Sequence, residues 1–229
     1  MEVQRTEQKI ILTKAEALLL QKRLAAIMPL DSYCIHGKGY EIRSLYFDTL
    51  ADRSFVEKAD GLLVHEKIRA RIYGSGDQVI KLETKRKVGD AQTKRSLVIR
   101  RDTLDQLSRG QYQGLLSYDD PLALYFYQKL SRGMMPKSIV QYKRLSYCIL
   151  VNNTRITFDY DIRATESCFD LYREPLLTHP ILPSDKVILE VKFNNFLLGY
   201  IKDALNTLHK STASFSKYAN GRSFYRSMI

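Results

Sequence analysis

Charged and apolar residues alternate along several segments of this chain, and this alternation limits what the chain can fold into. In HEKIRARIY the basic residues come at every second position, with isoleucine or alanine between them: Lys67, Arg69 and Arg71. The segments IKLETKRK, TRITFDYDI and ILEVKF repeat the period of two. Because successive side chains of a β-strand point to opposite faces, each segment predicts a strand with one charged and one apolar face.

Several such strands favour a closed antiparallel sheet. Strands are predicted over residues 3–10, 40–48, 64–73, 78–87, 93–100, 138–151, 154–163 and 186–193. Helices are predicted over residues 15–27, 103–109, 120–132 and 195–210. The sequence shows no βαβ rhythm, repeat or linker, so we predict one α+β domain over residues 1–229, built around an antiparallel β-barrel. In such a barrel the apolar faces point outward under helices, and the charged faces line the interior.

Capping and turn residues indicate where some of these elements begin and end. Thr13 and Glu16 have the spacing of a capping box before the first helix. Asp119 as N-cap, with Pro121 in the first turn, predicts the start of the helix near residue 120. Asn152–Asn153 predicts a tight turn between two strands.

The composition indicates an anionic partner. The 229 residues carry a formal net charge of +11 at pH 7, and 45% of them are hydrophobic, which is enough for a core. A basic balance of this size is typical of proteins that bind nucleic acid, phosphate compounds or acidic membranes. A generally basic surface would also produce it, so the charge alone does not identify the partner.

Cysteine, histidine and hydropathy patterns argue against other classes. The three cysteines are far apart and the histidines lack an HExxH spacing, so neither a disulfide framework nor a zinc site is expected. No segment approaches the roughly 18 apolar residues of a membrane span. The N-terminus lacks the apolar stretch of a signal peptide. We therefore expect a cytoplasmic protein without a membrane anchor of its own.

Rows of lysine and arginine on adjacent strands would form a clamp for phosphate groups. Arginine presents a planar fork to two phosphate oxygens, and lysine presents a mobile point charge. Carboxylates stand on the same faces: Glu7, Glu83, Asp159, Asp161 and Glu190. Hard oxygen ligands of this kind suit Mg²⁺ or Mn²⁺, which bridge phosphate oxygens. The pattern therefore indicates a site for a polyanion and a divalent metal.

Two alternatives to this site stay open at the level of sequence. The charged rows could be exposed residues of an open sheet, since charged side chains usually face water. Each carboxylate could instead only pair with a neighbouring base. For Glu190, which precedes Lys192 by two residues, we favour the metal; for the other carboxylates the ion pair is at least as well supported.

The order of short motifs resembles one known family. The motifs run through nearly the whole chain: RTEQK (5–9), SLYFDT (44–49), KIRAR (67–71), LETK (82–85), TKRS (93–96), YKR (142–144), RITFD (155–159), LEVKF (189–193) and FSKYANG (215–221). In this order the chain resembles the VTC domain, the polyphosphate polymerase branch of the triphosphate tunnel metalloenzymes, which are related to the CYTH proteins. No single motif is specific, but SLYFDT, KIRAR and LEVK in this order are.

This resemblance implies a fold, a reaction and a set of site residues. The fold would be an eight-stranded antiparallel tunnel with helices outside, and the reaction would pass the γ-phosphate of ATP to the end of a polyphosphate chain. We predict as catalytic bases Arg69, Arg71, Lys85, Arg144 and Arg155. We predict as substrate-binding residues Lys9, Lys67, Lys94, Lys192 and Lys217. Glu190 would hold the catalytic Mn²⁺ or Mg²⁺, and the further candidate metal ligands are Glu7, Glu83 and Asp159.

The chain departs from the family pattern at two positions. The wider superfamily opens with ExExK, but here Arg5 occupies the first Glu position, which removes a metal ligand and adds a base. This departure favours the polymerase branch over a triphosphatase or an adenylyl cyclase. The eukaryotic polymerases of the family carry a further lysine where this chain has Ser214, which weakens the clamp at that end.

Several functions remain alternatives to polyphosphate synthesis. Hydrolysis of inorganic triphosphate or of nucleoside triphosphates would use water as acceptor in the same tunnel. A non-enzymatic module that binds polyphosphate or nucleotide is a third hypothesis. Nucleic-acid binding is supported only by charge and is not expected. The sequence shows no phosphate-sensing SPX-like domain, so coupling to a membrane translocator would require a separate protein, which would bring the chain to the inner face of a membrane.

Overall fold

Nine strands form one antiparallel sheet in the computed structural model of this chain, which describes residues 5–34, 37–74, 76, 79–89, 91–206 and 212–226. The strands are β1 (Arg5–Thr13), β2 (Tyr40–Thr49), β3 (Val64–Ile72), β4 (Ile80–Val88), β5 (Ala91–Ile99), β6 (Met134–Ile149), β7 (Thr154–Thr165), β8 (His179–Pro180) and β9 (Lys186–Asn194). Their order is β1-β9-β7-β6-β2-β3-β4-β5, and β8 pairs with β7. The predicted α+β class is confirmed, and the two-residue β8 is the strand beyond the expected eight.

Six α-helices lie in the described part of the chain. They are α1 (Lys14–Ala25), α2 (Arg53–Ala59), α3 (Arg101–Ser108), α4 (Pro121–Leu130), α5 (Gly199–Asn206) and α6 (Lys217–Arg226). The sequence pattern did not predict α2 or α6. The residue before α2, Asp52, has a left-handed backbone (φ 54°) and makes no side-chain cap. The carboxylate of Asp48, further upstream, accepts the Ser54 and Phe55 N–H groups instead. The predicted helix over 195–210 begins later, at Gly199, and its predicted end falls outside the described residues.

Side-chain caps fix the start of α1 and α4. The Thr13 hydroxyl accepts the Glu16 backbone N–H at 3.3 Å, and the Glu16 carboxylate accepts the Thr13 N–H at 2.7 Å, so the predicted capping box is confirmed. The predicted N-cap of α4 was wrong by one residue. Asp120, not Asp119, accepts the Leu122 N–H at 2.7 Å, because Pro121 occupies the first helical position and the cap is the residue directly before it.

The described residues pack into two compact units. Unit 1 consists of Met1–Glu41, Tyr142–Ile162 and Leu182–Phe215. Unit 2 consists of Ile42–Gln141, Arg163–Ile181 and Ser216–Ile229. Each unit has a hydrophobic core of its own. The single domain over residues 1–229 stays a prediction.

Helices cover the apolar strand faces in each unit, as the alternation predicted. In unit 2, Ile68 and Leu82 are buried with Leu104 of α3 and Phe126 of α4. In unit 1, the apolar faces of β7 and β9 are buried with residues of α1 and α5: Phe158, Leu189, Leu20 and Ile201. The cores therefore lie between the strands and the helices, and this leaves the opposite, charged strand faces to form sites of their own.

Two carboxylates on the charged faces are withdrawn from water as well. Glu83 on β4 is 1% exposed, and Glu190 on β9 is 6% exposed. Of the basic row for which exposure on an open sheet was the alternative, Arg71 is buried, whereas Lys67 and Arg69 are half-buried. The alternation on β7 is interrupted at Asp161, whose backbone is left-handed (φ 46°) and whose side chain is exposed, so Asp161 does not continue the face of Arg155 and Asp159.

The prediction of no membrane-spanning segment concerns the described helices here. None of them combines the length and the apolar character that a membrane-spanning helix requires.

The capping box gives the first testable prediction. Thr13→Ala removes the oxygen that accepts the Glu16 N–H, so the free energy of unfolding should fall by about 1 kcal/mol in urea titrations. Thr13→Ser keeps the cap and serves as the control, which should unfold close to the unmutated protein. Equal stability of the alanine and serine variants would show that the cap does not hold the start of α1.

Candidate functional site

Three strands of unit 2 place basic residues in cross-strand rows. Lys67 of β3 is directly opposite Lys85 of β4, which is directly opposite Lys94 of β5. The next row on the same face contains Arg69 and Glu83, and these lie opposite each other. Like charges directly opposite one another destabilise a sheet. A row of three lysines is therefore a position where a bound anion would relieve repulsion.

Glu83 is the centre of this charged face. We call Glu83, Arg69, Arg71, Lys94 and Ser96 the Glu83 cluster. The Glu83 Oε2 atom accepts from Arg69 Nε at 2.8 Å and lies 3.9 Å from Arg71 Nη1. The Oε1 atom contacts the Lys94 ammonium and accepts from Ser96 Oγ at 3.3 Å. One buried carboxylate therefore orders three bases that sit on two strands beside its own.

The charge of Glu83 is stabilised by these bases. Burial alone would raise the pKa of Glu83, but Arg69, Arg71 and Lys94 outweigh burial and hold this pKa well below its usual range. Burial also lowers the pKa of Lys94, although Glu83 opposes this shift. Both oxygens of Glu83 are thus engaged by bases. The sequence left Glu83 as either a metal ligand or an ion-pair partner, and in this structure it is an ion-pair partner.

The helix α6 adds further groups to the charged face of unit 2. Ser216, just before α6, accepts a hydrogen bond from Lys67 Nζ at 3.0 Å. Tyr218 of α6 stacks on Tyr46 of β2, with ring centroids 5.0 Å apart, and its hydroxyl donates to Asp48 at 2.7 Å. These contacts hold the start of α6, and with it the predicted substrate-binding Lys217, next to β2 and β3.

Carboxylates lie opposite bases on the neighbouring strands β1 and β9 of unit 1. Lys192 of β9 lies opposite both Glu7 of β1 and Arg155 of β7. One row further, Glu190 of β9 lies opposite both Lys9 and Thr157. We call Glu7, Lys9, Arg144, Asp159, Glu190 and Lys192 the Glu190 cluster. In this cluster each carboxylate has a basic neighbour on the adjacent strand.

Arg144 of β6 joins two of the predicted site carboxylates. Its guanidinium donates to both Asp159 oxygens, at 2.7 and 2.8 Å, and its Nη2 lies 3.8 Å from Glu190 Oε2. Burial opposes the charge of Arg144, but Asp159 and Glu190 raise its pKa above the usual value. Arg144 therefore stays charged, and Asp159 forms a two-point ion pair.

The Arg155 side chain makes its contacts outside the Glu190 cluster, although Arg155 lies opposite Lys192 in the sheet. Its guanidinium contacts Asp31 at 2.6 Å and donates to the Tyr40 hydroxyl at 3.0 Å and to Ser146 Oγ at 2.9 Å. Asp31 and Tyr40 were not predicted as site residues, and no sequence pattern links them to Arg155. About two fifths of the Arg155 side chain is exposed (39%), so it keeps surface for a ligand.

Of the two clusters, the Glu190 cluster has the carboxylates whose chemistry suits a divalent metal better. Glu190 Oε1 and Glu7 Oε2 both approach the Lys192 ammonium, at 2.5 and 3.8 Å, so two carboxylates converge on one positive centre. The buried Thr157 hydroxyl, opposite Glu190, has no hydrogen-bond partner among the described residues. Mg²⁺ binds through one or two carboxylates and keeps other positions for phosphate and water. Glu190 and Glu7 meet that requirement.

Asp159 and Glu83 fit a metal less well than Glu190 and Glu7. Each of these carboxylates is held by an arginine through short contacts, Asp159 by Arg144 and Glu83 by Arg69 together with Lys94. Glu7 and Glu190 also lie near bases, but the nearest of these are the flexible lysines Lys9 and Lys192. Within the ranges that the structure describes, three or more His, Cys, Asp or Glu side chains nowhere meet in a group that could hold a metal ion. The metal roles of all four carboxylates stay predictions.

Sequence reasoning found the bases but missed most of the neutral groups around them. The missed residues are Ser44, which accepts from Arg71 at 3.1 Å, together with Tyr46, Ser96 and Ser216. A signal for two of them was available, since Ser44 and Tyr46 share one face of the SLYFDT strand. Ser216 could not be found this way because its contact with Lys67 spans 149 residues.

The VTC domain family matches nearly the whole chain. The family model covers residues 4–226. No curated protein sequence shows a significant match to the chain.

Three solved structures share the fold. A candidate adenylate cyclase from Bacillus halodurans is 10% identical, with a TM-score of 0.53 over 94% of this chain and 96% of that chain. A candidate adenylyl cyclase from Hippeastrum, for which a dominant triphosphatase activity is described, is 13% identical, with a TM-score of 0.57 over 97% and 96%. A candidate adenylate cyclase from Vibrio parahaemolyticus is 10% identical, with a TM-score of 0.53 over 94% and 96%. At these identities the likeness concerns the fold alone.

The Glu83 cluster predicts how stability depends on pH. Because the folded-state pKa of Glu83 lies below its unfolded value of about 4.3, its contribution to stability is present above that pH and is lost as the pH falls through the folded pKa. Glu83→Gln should therefore lower the free energy of unfolding at neutral pH by about 3 kcal/mol or more, since it leaves buried bases unpaired. The difference from the unmutated protein should shrink in urea titrations below about pH 4.

The control for this prediction is Glu57→Gln. Glu57 pairs with the exposed Arg53 at 2.6 Å, and exposed pairs contribute little, so this variant should be nearly as stable as the unmutated protein. A Glu83→Gln variant with the same stability as Glu57→Gln at neutral pH would contradict the role of Glu83 as the centre of the cluster.

Proposed function

Because the chain belongs to the VTC domain family, we propose that it is a metal-dependent polyphosphate polymerase that transfers the γ-phosphate of ATP to the end of a polyphosphate chain. The observation that carries the proposal is a basic strand face, ordered by a buried carboxylate, on which three lysines stand in one row. The proposal assigns one task to each of the two clusters.

The Glu83 cluster and its neighbouring lysine row would bind phosphate groups. Neighbouring strands lie about 4.8 Å apart, so the row of Lys67, Lys85 and Lys94 spreads three amino groups along a line rather than around a point. Such a line suits an extended polyanion better than a single phosphate. Arg69 and Arg71 would add fork-like contacts to the same chain of phosphates.

The Glu190 cluster would hold the metal and the reacting phosphates. Glu190, with Glu7 beside it, would bind Mg²⁺ or Mn²⁺, and Lys192 would move from the carboxylates to phosphate oxygens. When bound, the metal supplies neutralisation of charge on the transferred phosphoryl group. Arg144, held by Asp159, would keep a fixed positive charge at this place.

Phosphoryl transfer of this kind needs no covalent enzyme intermediate. Charge in the transition state is spread over the oxygens of the transferred group, and the protein accelerates the reaction by positioning and by fixed opposite charge. Arginines and lysines that are ordered before the substrate binds supply both. The fixed bases Arg69, Arg71 and Arg144, each within reach of a buried carboxylate, meet that description.

A second candidate function is hydrolysis of triphosphate or of nucleoside triphosphates by the same groups. The observation that favours it is the shared fold with the Hippeastrum protein, for which a dominant triphosphatase activity is described. The two functions differ in the acceptor, which is water in one case and polyphosphate in the other. We favour the polymerase because Arg5 on β1 replaces a carboxylate of the wider superfamily and supplies another base for a long anion.

Location and partners follow from the same proposal. ATP and inorganic tri- or polyphosphate would be the ligands, and nucleic acid would not be one. The chain would act in the cytoplasm and would reach the inner face of a membrane through a separate translocator protein.

The metal assignment is tested with Glu190→Gln. This change keeps the shape of the side chain but removes the charge that a divalent ion needs. Polyphosphate synthesis from ATP with Mn²⁺ should fall by about three orders of magnitude or more, because metal neutralisation is a main source of rate in this reaction. Calorimetric binding of inorganic triphosphate in the presence of a chelator should survive, because the bases remain.

A matched control is Glu174→Gln, since Glu174 is an exposed carboxylate that pairs with Arg43. It should retain synthesis. Retained synthesis in Glu190→Gln would contradict the metal assignment, and lost chelator-resistant binding would show that Glu190 instead positions a base such as Lys192.

A further inference from the structure

Tyr46 of β2 lies on the charged face of unit 2, although no motif singled out its hydroxyl. The residue is 6% exposed. It lies opposite Arg69 in the sheet, and its hydroxyl accepts a hydrogen bond from Arg69 Nη1 at 3.2 Å. The guanidinium of Arg69 also stands over the Tyr46 ring, 5.9 Å from its centroid. The hydroxyl of this buried tyrosine is therefore directed at a base of the Glu83 cluster.

The Tyr46 hydroxyl, which accepts from Arg69, still has its own proton to donate. A phenol can donate one hydrogen bond while it accepts another. Among the residues that the structure describes, no acceptor is found for the Tyr46 proton. Buried polar groups are nearly always satisfied, so a buried donor without an acceptor needs an explanation. We explain it by an acceptor for the Tyr46 proton that belongs to a bound ligand.

The charges around Tyr46 specify the kind of acceptor. Burial raises the pKa of the phenol, but Arg69, Arg71 and Lys217 together with the hydrogen bond from Arg69 outweigh burial and lower this pKa. Three bases from β3 and α6 thus act electrostatically on the hydroxyl, and Arg69 contacts it directly. A neutral donor among three cations matches an oxygen of a multiply charged anion, and a hydrogen bond to a charged acceptor is stronger than one between neutral groups.

The position of the phenol ring does not depend on the ligand. Its ring stacks on Tyr218 of α6 with an interplanar angle of 22°, and the Tyr218 hydroxyl is fixed on Asp48. Arg69 is fixed independently of Tyr46, since its Nε and Nη2 atoms both lie 2.8 Å from Glu83. Loss of the Tyr46 hydroxyl should therefore leave both the ring stack and Arg69 in place.

We propose that the Tyr46 hydroxyl donates a hydrogen bond to a phosphoryl oxygen of the bound phosphate chain. This inference rests on the proposed function insofar as it takes the ligand to be a phosphate chain. It adds to the predicted bases a neutral, directional contact. Such a contact would help to set where along the basic face a phosphate group sits, since a single O–H donor is more directional than the mobile charge of a lysine.

The test is calorimetric binding of inorganic triphosphate, without metal, to Tyr46→Phe. Phenylalanine keeps the ring stack and removes only the hydroxyl. The dissociation constant should rise about tenfold or more, as expected for loss of a hydrogen bond to a charged group. The control is Tyr112→Phe, which removes the hydroxyl of another buried tyrosine of unit 2, one that donates to the Met134 carbonyl at 2.5 Å. Its affinity for triphosphate should not change.

A double variant separates direct contact from an effect through Arg69. Arg69→Met removes the base that donates to Tyr46, and binding is then measured at low ionic strength with and without Tyr46→Phe. If Tyr46 contacts the anion, the hydroxyl should still change the dissociation constant about tenfold in this background. An effect that vanishes there, or unchanged affinity in Tyr46→Phe itself, would overturn the proposal.

A measurement on the unmutated protein covers the case in which Tyr46→Phe fails to fold. The absorbance of tyrosinate is followed during alkaline titration with and without saturating triphosphate. A bound phosphoryl oxygen holds the Tyr46 proton, so one tyrosine should ionise at higher pH when triphosphate is present. Identical titrations would overturn the proposal.

The failure of this inference is distinguishable from failure of the proposed function. If the unmutated protein binds triphosphate and Tyr46→Phe weakens binding but no polyphosphate forms from ATP, the contact stands and the polymerase proposal fails. If polyphosphate forms normally and Tyr46→Phe binds triphosphate as tightly as the unmutated protein, the polymerase proposal stands and the Tyr46 contact fails.

Discussion

The buried carboxylate of Glu83 is the interaction on which the charged face of unit 2 depends. Its partners Arg69, Arg71 and Lys94 come from β3 and β5, the strands on either side of β4. Without a carboxylate between them, these bases would repel one another in a place with little water to screen them. With it, they are held in fixed positions before any ligand arrives. Because one carboxylate neutralises only one of the three bases, the face keeps an excess of positive charge and still attracts anions.

The Glu190 cluster of unit 1 also brings charged groups together, but with equal numbers of carboxylates and bases. Here three carboxylates stand among three bases, and Arg144 lies between Asp159 and Glu190. A cation can compete for Glu190 and Glu7 because the bases nearest to them, Lys192 and Lys9, are flexible lysine side chains. Asp159, fixed on Arg144 at two points, is the less available carboxylate. This difference in local charge is why we assign phosphate binding to one cluster and metal binding to the other.

Features of the two clusters that depend on neighbouring residues could be predicted from the sequence, and features that depend on contacts between distant segments could not. The period of two identified the charged faces of β3 and β4 and placed Arg69, Arg71 and Glu83 on them, because side-chain direction in a strand is a local property. The row formed by Lys67, Lys85 and Lys94 was not predictable in the same way, since it depends on the register between strands. The contact of Lys67 with Ser216 depends on the position of α6, which has no clear sequence signal of its own. The prediction that Asp161 shares the charged face of β7 was wrong for a local reason: its left-handed backbone breaks the alternation that the sequence pattern assumes.

The acceptor of the phosphoryl group is the centre of this account, and it can be measured directly. The unmutated protein is incubated with ATP and Mn²⁺, and the products are divided into polyphosphate, resolved on a gel, and free phosphate, measured by a release assay. The account predicts polyphosphate chains that lengthen with time while free phosphate stays well below the ADP formed. Free phosphate that equals the ADP formed, with no polyphosphate on the gel, would contradict it and identify water as the acceptor.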